Sequence, residues 1–251
     1  MLLLDSSRSG HQLVYTVFHA ATCFVMTNKL SRDSIRDGDV YRMLKEQEHV
    51  TNIRPLTTAE REAALDRFLE NAPDGPVWVL GYGSLIWNPA FHFTARANAR
   101  IWGYHRSFCI RTPLGRGSPD NPGLVLALDA GGSCNGVAFR LPAKRMREEL
   151  SVVWAREMAI ADSYHAIWVR AATAKGPVNA LTFAVNRLSP RYAGRLPESE
   201  LVDRLANASG YLGSCAEYLE NTVTHMRECG IRDTHLFHLH KLVQAACSQK
   251  G

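Results

Sequence analysis

The stretch VWVLGYGSLIWNPAF, Val77 to Phe91, decides how the rest of the chain is read. An apolar, β-like run passes directly into Gly81, Gly83 and Ser84. Two glycines at a strand end permit positive φ and expose successive backbone N–H groups, a way to cradle an anion or an amide oxygen. The same letters also suit a tight turn that needs two glycines only for steric reasons. Familiar loop motifs fit poorly. The run is not G-x-x-x-x-G-K-[ST], it lacks the third glycine of G-x-G-x-x-G, and Ser84 is not flanked as in the G-x-S-x-G nucleophile elbow.

Outward from this stretch the chain has short β-like runs at Arg100 to Ile110, Leu124 to Asp129 and Asn135 to Leu141. Two more start at Ala166 and Val178, separated by an Ala-Lys-Gly-Pro turn. Their hairpin spacing predicts a largely antiparallel sheet or small mixed β-barrel rather than a doubly wound sheet. Helical signals lie on both sides. Thr57 and Glu60 have capping-box spacing, and Ala64, Leu65, Phe68 and Leu69 fall on one face, which predicts a helix over 57–72 that ends before Pro73. A second helix is expected from Pro142 to about Met158. Ser214 with Glu217 opens another that Gly230 closes, and Asp233 caps a last one carrying Leu236, Leu239 and Val243. The class is α+β, a small barrel flanked by helices. Residues 57–251 form a catalytic-sized domain with a leading helix. Residues 1–56 lack periodicity and read as a loosely packed, partly disordered N-terminal extension with at most one short helix. Met26 opens a more ordinary polar start, so residues 1–25 are either part of the fold or an upstream extension of the gene model.

The chain has 251 residues, 46% hydrophobic and 21% charged, enough for one large core or two small ones. Its net charge of +5 is uneven: residues before Pro76 carry −2 and the remainder +7. A surplus of this size without Lys/Arg blocks argues against a nucleic-acid partner and suits attraction of a small anionic substrate. The six cysteines are scattered, with no C-x-x-C pair, so reduced thiols in a cytoplasmic protein are expected. Asp5, Arg8 and His11 interrupt the apolar N-terminus, so neither a signal peptide nor a membrane partner is expected.

Among groups that carry chemistry, Glu157 is the most informative. Met146, Leu150 and Val153 form the inward stripe of the helix from Pro142, and Glu157 continues it at i+4 from Val153. Desolvation there raises a carboxyl pKa toward the range of a proton shuttle. The alternative is a frayed helix end where Glu157 pairs with Arg156 or another surface cation. His235, His238 and His240 are poorly phased for a metal site, and no His or Asp is singled out as a base for Ser84. The Gly/Pro-rich loop Thr112 to Gly123 suits a lid or a plain surface loop. Trp87, Trp102, Trp154 and Trp168 are expected in the core.

VWVLGYGSLIWNPAF together with GVAFRLP and VVWAREM resembles the ChaC-like, glutathione-specific γ-glutamylcyclotransferases, from about Gly75 to the C-terminal helices. The resemblance implies a small mixed barrel with flanking helices and a reaction that splits a γ-glutamyl peptide into 5-oxoproline and the remaining dipeptide, with no cofactor and no metal. It implies that Gly81, Tyr82, Gly83, Ser84, Leu85 and Ile86 bind the γ-glutamyl group and that Glu157 is the catalytic acid/base. It also implies that Tyr218, in SCAEYLENT, lies beside the active site. One departure is Leu124, which stands where that family usually has Arg after Pro-Gly. Other γ-glutamyl amides are alternative substrates, and a γ-glutamyl-binding module without turnover is the non-enzymatic alternative.

Overall fold

The structure, a computed structural model, describes residues 30–249. Five strands close a barrel: β1 (Trp78–Gly81), β2 (Ala95–Thr112), β3 (Gly123–Arg140), β4 (Tyr164–Thr173) and β5 (Gly176–Val185), in the order β1-β3-β2-β4-β5. Consecutive neighbours in that order are antiparallel. Closure is parallel, with β5 set beside β1 through Trp78 opposite Ala180 and beside β3 through Leu128 opposite Ala184. The expected small mixed, largely antiparallel barrel is therefore the fold.

One strand boundary differs. LVLALD and NGVAFRL are halves of the single strand β3, which pairs along its length with β2. Gly131 and Gly132, with φ of 99° and 72°, lie between them opposite Gly103, φ 86°, where the β2–β3 register shifts. Glycines that suggest a turn thus make an irregularity that bends a continuous strand.

Helices seal the barrel. α4 (Thr58–Leu69) starts with the capping box: the Thr57 hydroxyl accepts from Glu60 N–H, and the Glu60 carboxylate accepts from Thr57 N–H. α5 (Met146–Glu157) buries Leu150, Val153 and Trp154, and Trp154 lies between Phe68 of α4 and Phe183 of β5. α6 (Glu198–Asn207), α7 (Cys215–Glu228) and α8 (Thr234–Ser248) bury Leu205, Leu219, Val223, Met226 and Leu239. The side chains of Ser214 and Asp233 cap α7 and α8, and Gly230, φ 67°, follows α7. Trp102 departs from the core expectation, being 60% exposed on β2. Among the described residues no helix is long and apolar enough to cross a membrane.

Where the sequence suggests at most one short helix before Thr57, the described residues there form three: α1 (Arg32–Arg36), α2 (Asp39–Glu46) and α3 (Glu48–Thr51). They rest on the catalytic-sized unit. Arg32 forks onto Glu149 of α5, which is 0% exposed and also accepts from His92 N–H at 2.8 Å. Burial alone raises the Glu149 pKa, but the hydrogen bonds from His92 and Arg32 outweigh it and hold this carboxyl below its ordinary value. The alternatives weighed for residues 1–25 lie outside the described residues.

Candidate active site

At the end of β1 the chain enters a 3₁₀ turn, Ser84–Ile86, closed by Ile86 N–H on the Gly83 carbonyl at 2.9 Å. Ser84 O accepts from Trp87 and Asn88 N–H, so the turn consumes those donors. A cradle must be built from the N–H groups that precede them, Gly83 to Leu85. Neither Gly81 nor Gly83 has positive φ; Gly83 stands at −137°. The expected left-handed loop is corrected to a close-packed one: a Cβ on Gly81 would lie 2.9 Å from Leu85 Cβ, and one on Gly83 would lie 3.0 Å from the Tyr218 hydroxyl.

The loop is held from beneath by Arg106, whose side chain is 2% exposed. It donates to the carbonyls of Tyr82 and Asn135 and pairs with Asp233, joining the loop to β3 and the cap of α8. Sequence reasoning missed this residue. Its signal was available: Arg106 lies two residues from the inward Phe108 on β2, a charged group at a core-facing strand position.

A cavity of about 200 Å³ is lined by Tyr82, Gly83, Ser84, Leu85, Glu157 and Tyr218, among others. These six expected site residues are brought together; Gly81 and Ile86 sit behind the wall. Glu157 ends α5 with its side chain 15% exposed. Burial raises its pKa, and the neighbouring Arg156 guanidinium partly opposes the rise. Both readings of this residue therefore meet: it pairs with Arg156, Nε to Oε1 at 3.1 Å, yet lines the cavity.

Arg156 does more than pair. Its Nη2 donates to Ser84 Oγ at 2.8 Å and its Nη1 to the Asn88 carbonyl, so one guanidinium ties Glu157 to the turn. Tyr82, Tyr164 and Tyr218 complete the polar side. Burial, then mostly repulsion from neighbouring acidic groups including Glu157, raises their pKa values, that of Tyr218 to about 12, so these phenols are neutral donors and acceptors near pH 7.

Two more guanidinium groups reach the cavity. Arg116 lies 5.6 Å above the Tyr218 ring, and Arg191 donates to Ser163 Oγ at 2.9 Å and to the Arg111 carbonyl at 3.0 Å. Burial lowers both pKa values, but a guanidinium starts so high that both stay cationic. Leu124 is fully buried behind the cavity, so the positive charge here comes from Arg116, Arg156 and Arg191. The loop from Thr112 also takes part: Thr112, Leu114, Gly115 and Arg116 line the cavity, and Leu212 N–H fastens the Gly115 carbonyl at 2.7 Å. Trp87 lines it as well. His238 and His240 lie apart, against Glu198 and Glu220, and no group of three or more His, Cys, Asp or Glu among the described residues is arranged to hold a metal ion.

Residues 77–246 match the family model described as ChaC-like protein. The chain belongs to the ChaC-like family. Similar relatives include the glutathione-specific gamma-glutamylcyclotransferase of Escherichia coli (strain K12), 40% identical over 69% of this chain and 76% of that protein. Another is the glutathione-specific gamma-glutamylcyclotransferase of Schizosaccharomyces pombe, 31% identical over 67% of this chain and 92% of that one. The barrel of this ChaC-like chain superposes on the crystal structure of the selenomethionine-labelled γ-glutamyl cyclotransferase specific to glutathione from yeast with a TM-score of 0.60. That likeness covers 68% of this chain and 97% of that one, at 23% identity.

Proposed function

We propose that this chain is a γ-glutamylcyclotransferase that converts glutathione to 5-oxoproline and Cys-Gly, with Glu157 as general acid/base. The observation that carries the proposal is one buried carboxylate of raised pKa facing the Tyr82 to Leu85 loop across a cavity lined by three guanidinium groups. The names of the relatives support the substrate class.

The chemistry asks little of the protein. The substrate's α-amine is tethered to its own γ-carbonyl carbon at the spacing that closes a five-membered ring, so the nucleophile needs no bimolecular encounter. A C–N bond forms between them, and the amide bond to the cysteinyl nitrogen breaks. Glu157 takes the proton that the amine sheds and returns it to the departing nitrogen, a role worth about 10²- to 10⁴-fold in rate. A carboxyl whose pKa is raised by burial suits both halves of that transfer, since it is a stronger base when charged and is less reluctant to hold a proton.

N–H groups from Gly83 to Leu85 oppose charge developing on the carbonyl oxygen, and the neutral Tyr218 hydroxyl bounds the cradle beside Gly83. Ser84, engaged by Arg156, positions the turn and forms no covalent intermediate. Arg116 and Arg191 present positive charge to a substrate that is net anionic, while Arg156 is engaged by Glu157. The test is to incubate purified protein with glutathione and follow 5-oxoproline and Cys-Gly by mass spectrometry. Equimolar appearance of both is expected; free glutamate in place of 5-oxoproline would show hydrolysis and overturn the ring closure.

A further inference from the structure

We infer that α2 supplies the specificity surface for the part of the substrate that leaves, and that Met43 is the residue that meets its first side chain. The inference rests on the cyclotransferase reading of the site. The segment before the matched residues 77–246 is part of the cavity: Leu30, Val40, Met43 and Leu44 line it together with Glu157. Val40, Met43 and Leu44 share one face of α2 at i, i+3 and i+4. Leu44 is 3% exposed and anchors that face, whereas Val40 and Met43 are half-buried and keep surface turned to the cavity.

This wall is fixed relative to the reaction centre. Arg32 holds α1 on the buried Glu149. Asn88 donates its side-chain amide to the Leu30 carbonyl at 3.1 Å, and its own carbonyl accepts from Arg156, the partner of Glu157. One residue thus links the N-terminal segment to the guanidinium beside the proposed acid/base.

The direction of the substrate follows from the shape. A second groove, about 450 Å³, runs outward between α2 and the 113–119 loop, and Met43, Leu114 and Gly115 belong to the walls of both cavity and groove. Met43 and Leu114 thus flank the place where cavity and groove adjoin, a passage from Glu157 to the outside. For ring closure the γ-glutamyl end must lie at Glu157 and the Gly83 to Leu85 loop, which leaves the remaining dipeptide pointing along that passage. Its first side chain then meets a thioether and an isobutyl group. Such a surface accepts a compact apolar or thiol side chain and penalises a charged one by desolvation.

The experiment compares kcat/KM for glutathione, γ-glutamylglycylglycine and γ-glutamylglutamylglycine in the full chain, with M43A and M43K beside the wild type. M43A is expected to reduce the preference for glutathione over the glycyl peptide about five- to tenfold, chiefly through KM, because the thioether packs only against the cysteinyl side chain that the glycyl peptide lacks. M43K is expected to raise the glutamyl peptide relative to glutathione by about tenfold, since it replaces an apolar wall with a counter-charge. Ratios within one protein are insensitive to the fraction that folds. A shift of about threefold or more in either ratio supports the assignment, and smaller shifts in both, from a wild type that forms 5-oxoproline, overturn it alone. A wild type that forms 5-oxoproline from none of the three peptides overturns the cyclotransferase reading and this inference with it.

Discussion

Arg156 and Glu157 are adjacent in sequence and paired in space, Nε to Oε1 at 3.1 Å, while the same guanidinium reaches Ser84 Oγ at 2.8 Å. A lysine carries its three donors on one nitrogen and cannot span acceptors set at Nε, Nη1 and Nη2. Arg156→Lys is expected to lower kcat/KM about 10- to 100-fold through misplacement of the carboxylate and the turn, with the fold retained by circular dichroism. Arg156→Gln removes the cation that opposes the rise of the Glu157 pKa, so the acid limb of its pH–rate profile moves to higher pH. An unmoved limb would mean that the titrating base is another group.

Glu157→Gln keeps the size and removes the proton acceptor, and turnover is expected to fall at least about 10²-fold. Its stability should change with the opposite sign. A carboxyl with a raised folded pKa favours the fold when protonated, and that contribution is lost as pH rises from the ordinary value of 4.5 through the folded one. Relative to wild type, the Gln variant should therefore melt higher at pH 7, and the advantage should shrink as pH falls through the folded pKa to 4.5 and be gone well below it. Melting curves at both ends of that window test the sign. A variant that keeps more than about a tenth of wild-type kcat removes Glu157 from the acid/base role.

The wild-type pH profile of kcat/KM follows from the same burial. In the proposed acid/base role Glu157 must be ionised to accept the amine proton, so the rate should rise with pH through its raised pKa, with the acid limb above 4.5. A limb at or below that value would show that the group is solvated in the free enzyme.

The buried Glu149 makes the N-terminal helices testable as a structural unit. Arg32→Ala leaves a fully buried carboxylate with His92 and with Arg145 at 3.5 Å but without its forked cation, at a cost of about 3 kcal/mol, the low end for a broken buried pair. For a chain of this size that corresponds to a melting temperature lower by about 6 to 12 °C. Differential scanning calorimetry checks it; an unchanged midpoint would mean that α1 does not stay docked in solution.

Much of the barrel was legible because strands whose inward residues are apolar announce themselves, and because Thr57 with Glu60 and Ser214 with Glu217 mark helix starts by side-chain chemistry. What was not legible depended on distant partners. The glycines at 131 and 132 have the same composition whether a strand turns back or bends. α2 has Val40, Met43 and Leu44 on one face, but at eight residues it is too short for that periodicity to read as sustained. Arg156 beside Glu157 has no phase that separates a surface ion pair from a site. The sequence singles out the loop glycines for a dihedral reason, where the one the structure shows is proximity to Leu85 and Tyr218.

That proximity yields the last prediction. At Gly83, φ is −137°, so an added Cβ meets no left-handed penalty; it meets the Tyr218 hydroxyl at 3.0 Å and Leu126 Cβ at 3.7 Å. The Tyr218 ring is held by α7, by the edge of Phe108 at 6.1 Å and by Arg116, so the hydroxyl yields little and the loop shifts instead. Gly83→Ala should lower kcat/KM about 10- to 100-fold with a modest loss of stability, about 1 kcal/mol. Gly81→Ala is the contrast, because its Cβ would stand 2.9 Å from Leu85 Cβ and 3.2 Å from Leu85 backbone behind the cavity, so stability should suffer first. Tyr218→Phe in the Gly83→Ala background separates the two meanings of the contact. Removing the hydroxyl relieves the crowding, so the melting temperature should recover. Activity should stay low if that hydroxyl bounds the cradle, and a double variant that regains wild-type turnover would reduce Tyr218 to a steric neighbour.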